Sequence, residues 1–217
     1  MYLLALFVSV TLASCNGCTT ATDKDIGSKP LAEFEVIPGS VGEFGVEQCI
    51  SADREFMNLH YAQDYRWYET CITLANYLDD EACDGTVETV ENVFQVVTVY
   101  DKTGGDSEVV FIKHAANKDT EVYSQHGFWI EDFPLTDQGV KLTYKQAYDK
   151  ITATNSPKPH SRKCVLRNPV GPNPCNPQWV FGNIKAQLWV DAVTGEVNNS
   201  NPAFDGFNVS KPPEAWP

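Results

Sequence analysis

The chain has 217 residues, with 16 basic and 29 acidic side chains and a formal net charge of −13. That balance argues against nucleic acid as a partner, because binding phosphates needs a basic surface. The charge is also uneven: residues 1–140 carry 7 basic and 24 acidic side chains, whereas residues 141–217 carry 9 and 5, a shift that points to two modules.

In chain order, Tyr2 to Leu12 is an apolar run of signal-peptide length, too short to cross a bilayer as a helix. Leu12-Ala13-Ser14-Cys15 has the form of a bacterial lipobox, in which the Cys15 thiol receives a lipid and becomes the new N-terminus. The competing reading is ordinary signal-peptidase cleavage after Cys15 or Gly17. Both readings export the chain; in the first, residues 1–14 are the signal peptide and the lipid on Cys15 is the one contact with a membrane.

Loss or lipidation of Cys15 leaves six cysteines: Cys18, Cys49, Cys71, Cys83, Cys164 and Cys175. An even number in an exported chain suggests disulfides, with fifteen possible pairings. Spacing favours two local bridges, Cys71 to Cys83 and Cys164 to Cys175. A zinc site is not expected: there is no Cys-x-x-Cys pair, and His60, His114, His126 and His160 are scattered.

Residues 15–45 are rich in Gly, Thr, Ser and Asp, include Pro30 and Pro38, and lack a sustained period. They read as a flexible arm. A first α+β unit is expected over residues 46–135. Trp67, Cys71, Leu74 and Leu78 fall at i, i+4, i+7 and i+11, the stripe of a helix, with an earlier helical piece from about Ala52 to Ala62. Asn92 to Tyr100 is rich in β-formers, Asp101-Lys-Thr-Gly-Gly-Asp106 is a turn, and Val109 to Lys113 is the returning strand. A third strand is expected from Glu121 to Ile130. Gln95-Val96-Val97-Thr98-Val99 resembles the Gln-x-Val-x-Gly hairpin loop of cystatins, inhibitors of cysteine peptidases, although Val99 stands where that loop has Gly.

A second α+β unit is expected over residues 136–200. Thr143-Tyr-Lys-Gln146 has the form of a capping box, and Tyr144, Ala147, Tyr148 and Ile151 share one helical face. Lys158, His160, Arg162, Lys163 and Arg167 form a basic cluster that suits an anion, the acidic first unit or a plain solvated loop. A Pro-rich connection follows from Asn168 to Pro177. Lys185 to Val197 then reads as a strand, a turn and the start of a second strand, with Gly195 able to sit at positive φ where the chain reverses. Leu142 to Tyr148, Gln178 to Phe181 and Trp189-Val-Asp-Ala-Val-Thr-Gly-Glu-Val197 together resemble the PepSY family, small α+β modules of peptidase propeptides and bacterial envelope proteins. Residues 201–217 read as a polar, Pro-rich tail.

The fold class expected is therefore α+β: two small units, each a helix on an antiparallel sheet, PepSY-like or cystatin-like, after a signal peptide and arm. No Gly-x-Ser-x-Gly, His-Glu-x-x-His, phosphate loop or dinucleotide fingerprint is present, and no catalytic residue, metal or cofactor is expected. Taken with the signal-like start, the lipobox-like Cys15 and the missing catalytic motifs, the PepSY resemblance implies an exported, lipid-anchored, non-catalytic protein that binds a protein or peptide, such as a peptidase or another envelope protein. The alternative is a secreted, disulfide-stapled effector or peptidase inhibitor. Oligomeric state is left open.

Overall fold

The computed structural model describes residues 41–61, 64–74, 93–102, 108–116, 119–154, 163–183 and 186–205. Among them, Val46, Cys49, Ile50, Phe56 and Met57 recur at helical spacing and are all buried. They form the inner face of α1, Val41–His60, which Gly45 kinks near its start with φ 70°. The helix thus begins upstream of the Ala52 expected from the sequence.

Eight strands follow, joined by a second helix: β1 Tyr65–Leu74, β2 Val93–Lys102, β3 Glu108–Ala115, β4 Glu121–His126, then α2 Tyr144–Thr152, β5 Lys163–Arg167, β6 Gln178–Asn183, β7 Ala186–Asp191 and β8 Val197–Asn198. They form one sheet in the order β4-β3-β2-β1-β5-β6-β7-β8, antiparallel throughout.

This overturns the expectation of two units, each a helix on its own sheet. The joint is β1, which pairs with β2 on one side (Cys71 opposite Val97) and with β5 on the other (Cys71 opposite Val165). Of the stretch read as a helical stripe, Leu78 lies outside the described residues, and Trp67, Cys71 and Leu74 lie on this strand. Its Tyr65, Trp67, Tyr68, Thr70, Ile72 and Thr73 are aromatic or β-branched, types that fit a pleated surface better than a helix. Both faces of the strand are covered, so its apolar residues do not alternate cleanly, and a 3.6-residue stripe emerges by coincidence. Tyr68 is an extra, unpaired residue between Trp67 and Glu69. That bulge turns Trp67 to the same face as Thr70, whose hydroxyl takes the indole N–H at 3.0 Å.

Both helices pack on one face of the sheet. There α1 and α2 meet Ile72, Val96, Val110, Ile112, Leu166, Trp179, Phe181, Leu188 and Val190. Burying a large apolar side chain contributes about 1.5–3 kcal/mol, so this helix-side core dominates stability. The other face carries a smaller cluster of Cys71, Val97, Val99, Val109, Phe111 and Val165, covered by Tyr123 and Trp129. The cystatin-like string Gln95 to Val99 lies inside β2, flanked by β1 and β3, with Val96, Val97 and Val99 buried. It is an interior strand and not a projecting loop.

The capping box at α2 forms as its spacing expects. Thr143 Oγ1 accepts from the Gln146 N–H at 3.2 Å, and Gln146 Oε1 accepts from the Thr143 N–H at 2.9 Å. Tyr144, Ala147 and Ile151 face inward.

At the end of β7, Asp191 Oδ1 accepts from the Val193 and Thr194 N–H groups, both at 2.8 Å, and Gly195 takes φ 76°. A Cβ on Gly195 would lie 2.8 Å from Lys150 Cε and 3.3 Å from Leu142 Cδ1. Gly195→Val is therefore expected to lower stability by about 1–3 kcal/mol, through left-handed strain and displacement of the Lys150 stem. Gly195→Asn should cost less, since Asn tolerates this region. Thermal melts of the two variants check it, and a Val variant that melts with the parent refutes it.

Candidate functional site

After β4 the chain crosses the end of the sheet. Inward and outward residues are interleaved along this belt: Phe128 and Ile130 are 68% and 79% exposed, Trp129 between them is half-buried, Asp132 is buried, and Phe133 is 50% exposed. Val170, 42% exposed, joins them because its N–H bonds to the Glu131 carbonyl at 3.4 Å. These four, with Leu59, are the large hydrophobic side chains left exposed among the described residues.

The belt is held at every inward position. Trp129 donates its backbone N–H to Asp101 Oδ2 at 2.8 Å and its indole N–H to Asp132 Oδ2 at 3.1 Å. Its ring stands edge-on to Phe111, which in turn stacks on Tyr123 at 5.0 Å. Asp132 Oδ1 accepts from Arg167 Nε at 2.7 Å, and Arg167 Nη2 reaches Glu131 Oε2 at 3.4 Å. The backbone adds Phe133 N–H to the Asn168 carbonyl at 2.7 Å and Leu135 N–H to the Trp67 carbonyl at 2.6 Å.

Burial pushes the Asp132 carboxyl up, while the Arg167 charge and the hydrogen bonds from Arg167 and Trp129 offset part of that. Burial alone would lower the Arg167 guanidinium, but Asp132, Glu69 and Glu131 hold it above its ordinary value. A loop tied down in this way presents its outward hydrophobic side chains in one fixed arrangement. That suits recognition of a complementary surface, since ordering the loop costs nothing at the moment of binding.

A second polar group lies inside the helix-side core. Asp53 occupies the buried stripe of α1 between Ile50 and Phe56 and is fully buried. Its Oδ1 meets His114 Nε2 at 2.5 Å, and its Oδ2 accepts from Thr98 Oγ1 at 2.5 Å. The other ring nitrogen of His114 meets Thr120 Oγ1 at 3.0 Å. Burial pushes the Asp53 carboxyl up, and His114 and Thr98 partly offset this. The sequence carried a signal for the group: one acidic residue on an otherwise apolar helix face, opposite a His at an inward strand position. The two histidines on this part of the sheet are placed differently. His114 is buried under α1, whereas His126 pairs opposite Glu108 at the far end of β3.

Of the expected cysteine sites, Cys15, Cys18 and Cys83 lie outside the described residues, and so does any bridge to them. Among the described cysteines no pair is at disulfide distance, including Cys164 and Cys175. Cys71 and Cys164 sit on neighbouring strands but point to opposite faces, one into each cluster. Burial and the Asp53 charge push the Cys49 thiol up to about 12, so it stays protonated. In the basic cluster, Lys158, His160 and Arg162 are outside the described residues, and Arg167 faces Asp132 and Glu131.

Among the described residues no group of His, Cys, Asp and Glu is arranged to hold a metal, and no helix is long and apolar enough to cross a membrane. Comparison with protein-family models, with curated proteins and with solved structures found no match for this chain.

Proposed function

We propose that this chain is an exported, lipid-anchored, non-catalytic protein that binds another protein or a peptide through the belt of Phe128, Ile130, Phe133 and Val170. The observation that carries the reading is the combination of exposed large hydrophobic side chains with a buried clamp that fixes them. Grouped exposed apolar residues on an otherwise acidic chain mark a contact surface. Anchors held in one conformation are the usual centres of binding energy. The Asp53–His114 pair, the arrangement closest to a catalytic dyad, is sealed in the core, which favours binding over catalysis. The lipobox-like string at Cys15 and the PepSY-like segment support an envelope location and a polypeptide partner.

Two measurements test this. Cys15→Ser is expected to move the protein from the membrane fraction to the soluble one, because each buried methylene of the lost lipid contributes about 0.8 kcal/mol. Unchanged partitioning rejects the anchor, and parent protein already in the medium favours the secreted alternative. For the belt, the tagged mature chain is used to capture proteins from a native envelope extract. Phe128→Ser combined with Ile130→Ser should lose the captured partner while the stability of the variant stays within the range of surface changes, about 0.5 kcal/mol. Equal capture by parent and variant refutes the belt as the binding surface.

A further inference from the structure

Strands β4 and β8 are the outer strands of the described sheet. β8 has two residues, whereas β4 has six, Glu121–His126. Outer strands are commonly blunted by Pro, Lys or a bulge, because their free N–H and C=O groups attract another strand. β4 contains neither Pro nor Lys. Its register against β3 runs unbroken from Glu121 opposite Lys113 to His126 opposite Glu108, so it carries no bulge.

The direction of each backbone group on β4 follows from the ladder. Opposed residues of an antiparallel pair alternate between exchanging hydrogen bonds and turning away from each other. Just past β3, the Ala116 N–H bonds to the Phe94 carbonyl at 2.8 Å, in the register of the β2–β3 pair. By alternation Val110, Ile112 and His114 bond to β2, while Val109, Phe111 and Lys113 bond to β4, where their partners are Gln125, Tyr123 and Glu121. Val122, Ser124 and His126 therefore turn their N–H and C=O groups away from β3. No other described backbone group bonds to them.

The side chains along this edge say what a further strand would carry. Val122 packs against the helix-side core. Glu121 points to the opposite face, where its Oε2 accepts from Lys113 Nζ at 3.0 Å and its side chain stays 54% exposed. On an antiparallel strand laid against β4, residues opposite Val122, Ser124 and His126 point to the helix side, and the residues between them stand beside Glu121. The first set suits apolar side chains and the second suits cations. A second copy of this chain would set −13 against −13, so charge favours a basic partner over self-association.

We propose that β4 binds an extended basic segment of a polypeptide as an added antiparallel strand, apolar on the helix side and carrying Lys or Arg on the other. The edge is a surface of its own: the belt side chains take no part in the ladder.

The test is an NMR titration of the mature chain with the capped peptide (Lys-Val)4, read by amide hydrogen exchange. The Val122, Ser124 and His126 amides should exchange freely in the parent and slow at least tenfold with peptide. The Tyr123 and Gln125 amides, already bonded to β3, should change little. Peptide N-methylated at every Val should lose binding, because those residues face β4, whereas N-methylation at every Lys should leave it. The (Glu-Val)4 counterpart should bind at least tenfold more weakly. Ser124→Pro removes an outward N–H without touching the β3 ladder and should abolish binding. The Phe128→Ser, Ile130→Ser variant should respond as the parent does. The proposal is overturned if the three amides are already protected without peptide, if peptide leaves them unchanged, if the two N-methylated peptides bind alike, if (Glu-Val)4 binds as well as (Lys-Val)4, or if the belt variant fails to respond.

Discussion

His114→Leu is expected to destabilise the protein by about 3–5 kcal/mol, the usual cost of removing one partner from a buried ion pair. Asp53 has no exposed surface, and Thr98 is its other partner. With the imidazole gone, Asp53 Oδ1 loses its partner inside the helix-side core. Against a total stability of about 5–15 kcal/mol for a typical domain, this single change should bring the chain close to unfolding. The double variant His114→Leu, Asp53→Leu should recover much of the loss, because replacing both partners with apolar groups of similar size is often neutral. It removes one hydrogen bond from each of Thr98 and Thr120, at about 1 kcal/mol apiece. Urea melts of the parent and the two variants decide. A single variant within 1 kcal/mol of the parent would mean that the pair is not buried as described. A double variant as weak as the single one would assign the effect to shape and not to charge.

Arg167→Met is the second large effect expected, about 3 kcal/mol, the lower end for a broken buried pair because Arg167 retains 20% of its side-chain exposure. Asp132, which has none, would lose the 2.7 Å bond from Nε, leaving the indole N–H of Trp129 as its remaining side-chain partner. The consequence should be local as well as global. Limited proteolysis should cut within residues 127–134 in the variant and spare them in the parent, and partner capture through the belt should fall with it. Arg167→Lys should rescue little, since an ammonium does not reproduce the planar fork that reaches Asp132 and Glu131 together. If the variant loses stability while the belt stays protected from protease, the clamp is a feature of the sheet and does not organise the belt.

The parts of this protein that are local in sequence were legible in it. Thr143 and Gln146 announce the start of α2, because a capping box is settled within one turn. The β-rich stretches that became β2 and β3 were legible because each strand is dense in residues that favour a pleat. The turn after β7 was legible because Asp191, Thr194 and Gly195 lie within five residues of one another and make their own hydrogen bonds. What only the tertiary structure decided depends on neighbours far along the chain. The identity of β1 as a strand rests on β2 and β5, with Cys71 opposite Val97 and Val165, 26 and 94 residues along the chain, and it turns two expected units into one sheet. The Asp53–His114 pair joins residues 61 positions apart, and the Arg167–Asp132 clamp joins residues 35 apart. A side chain's own type fixes its charge and shape, but whether it is buried, paired or left exposed is set by the long-range packing that closes around it.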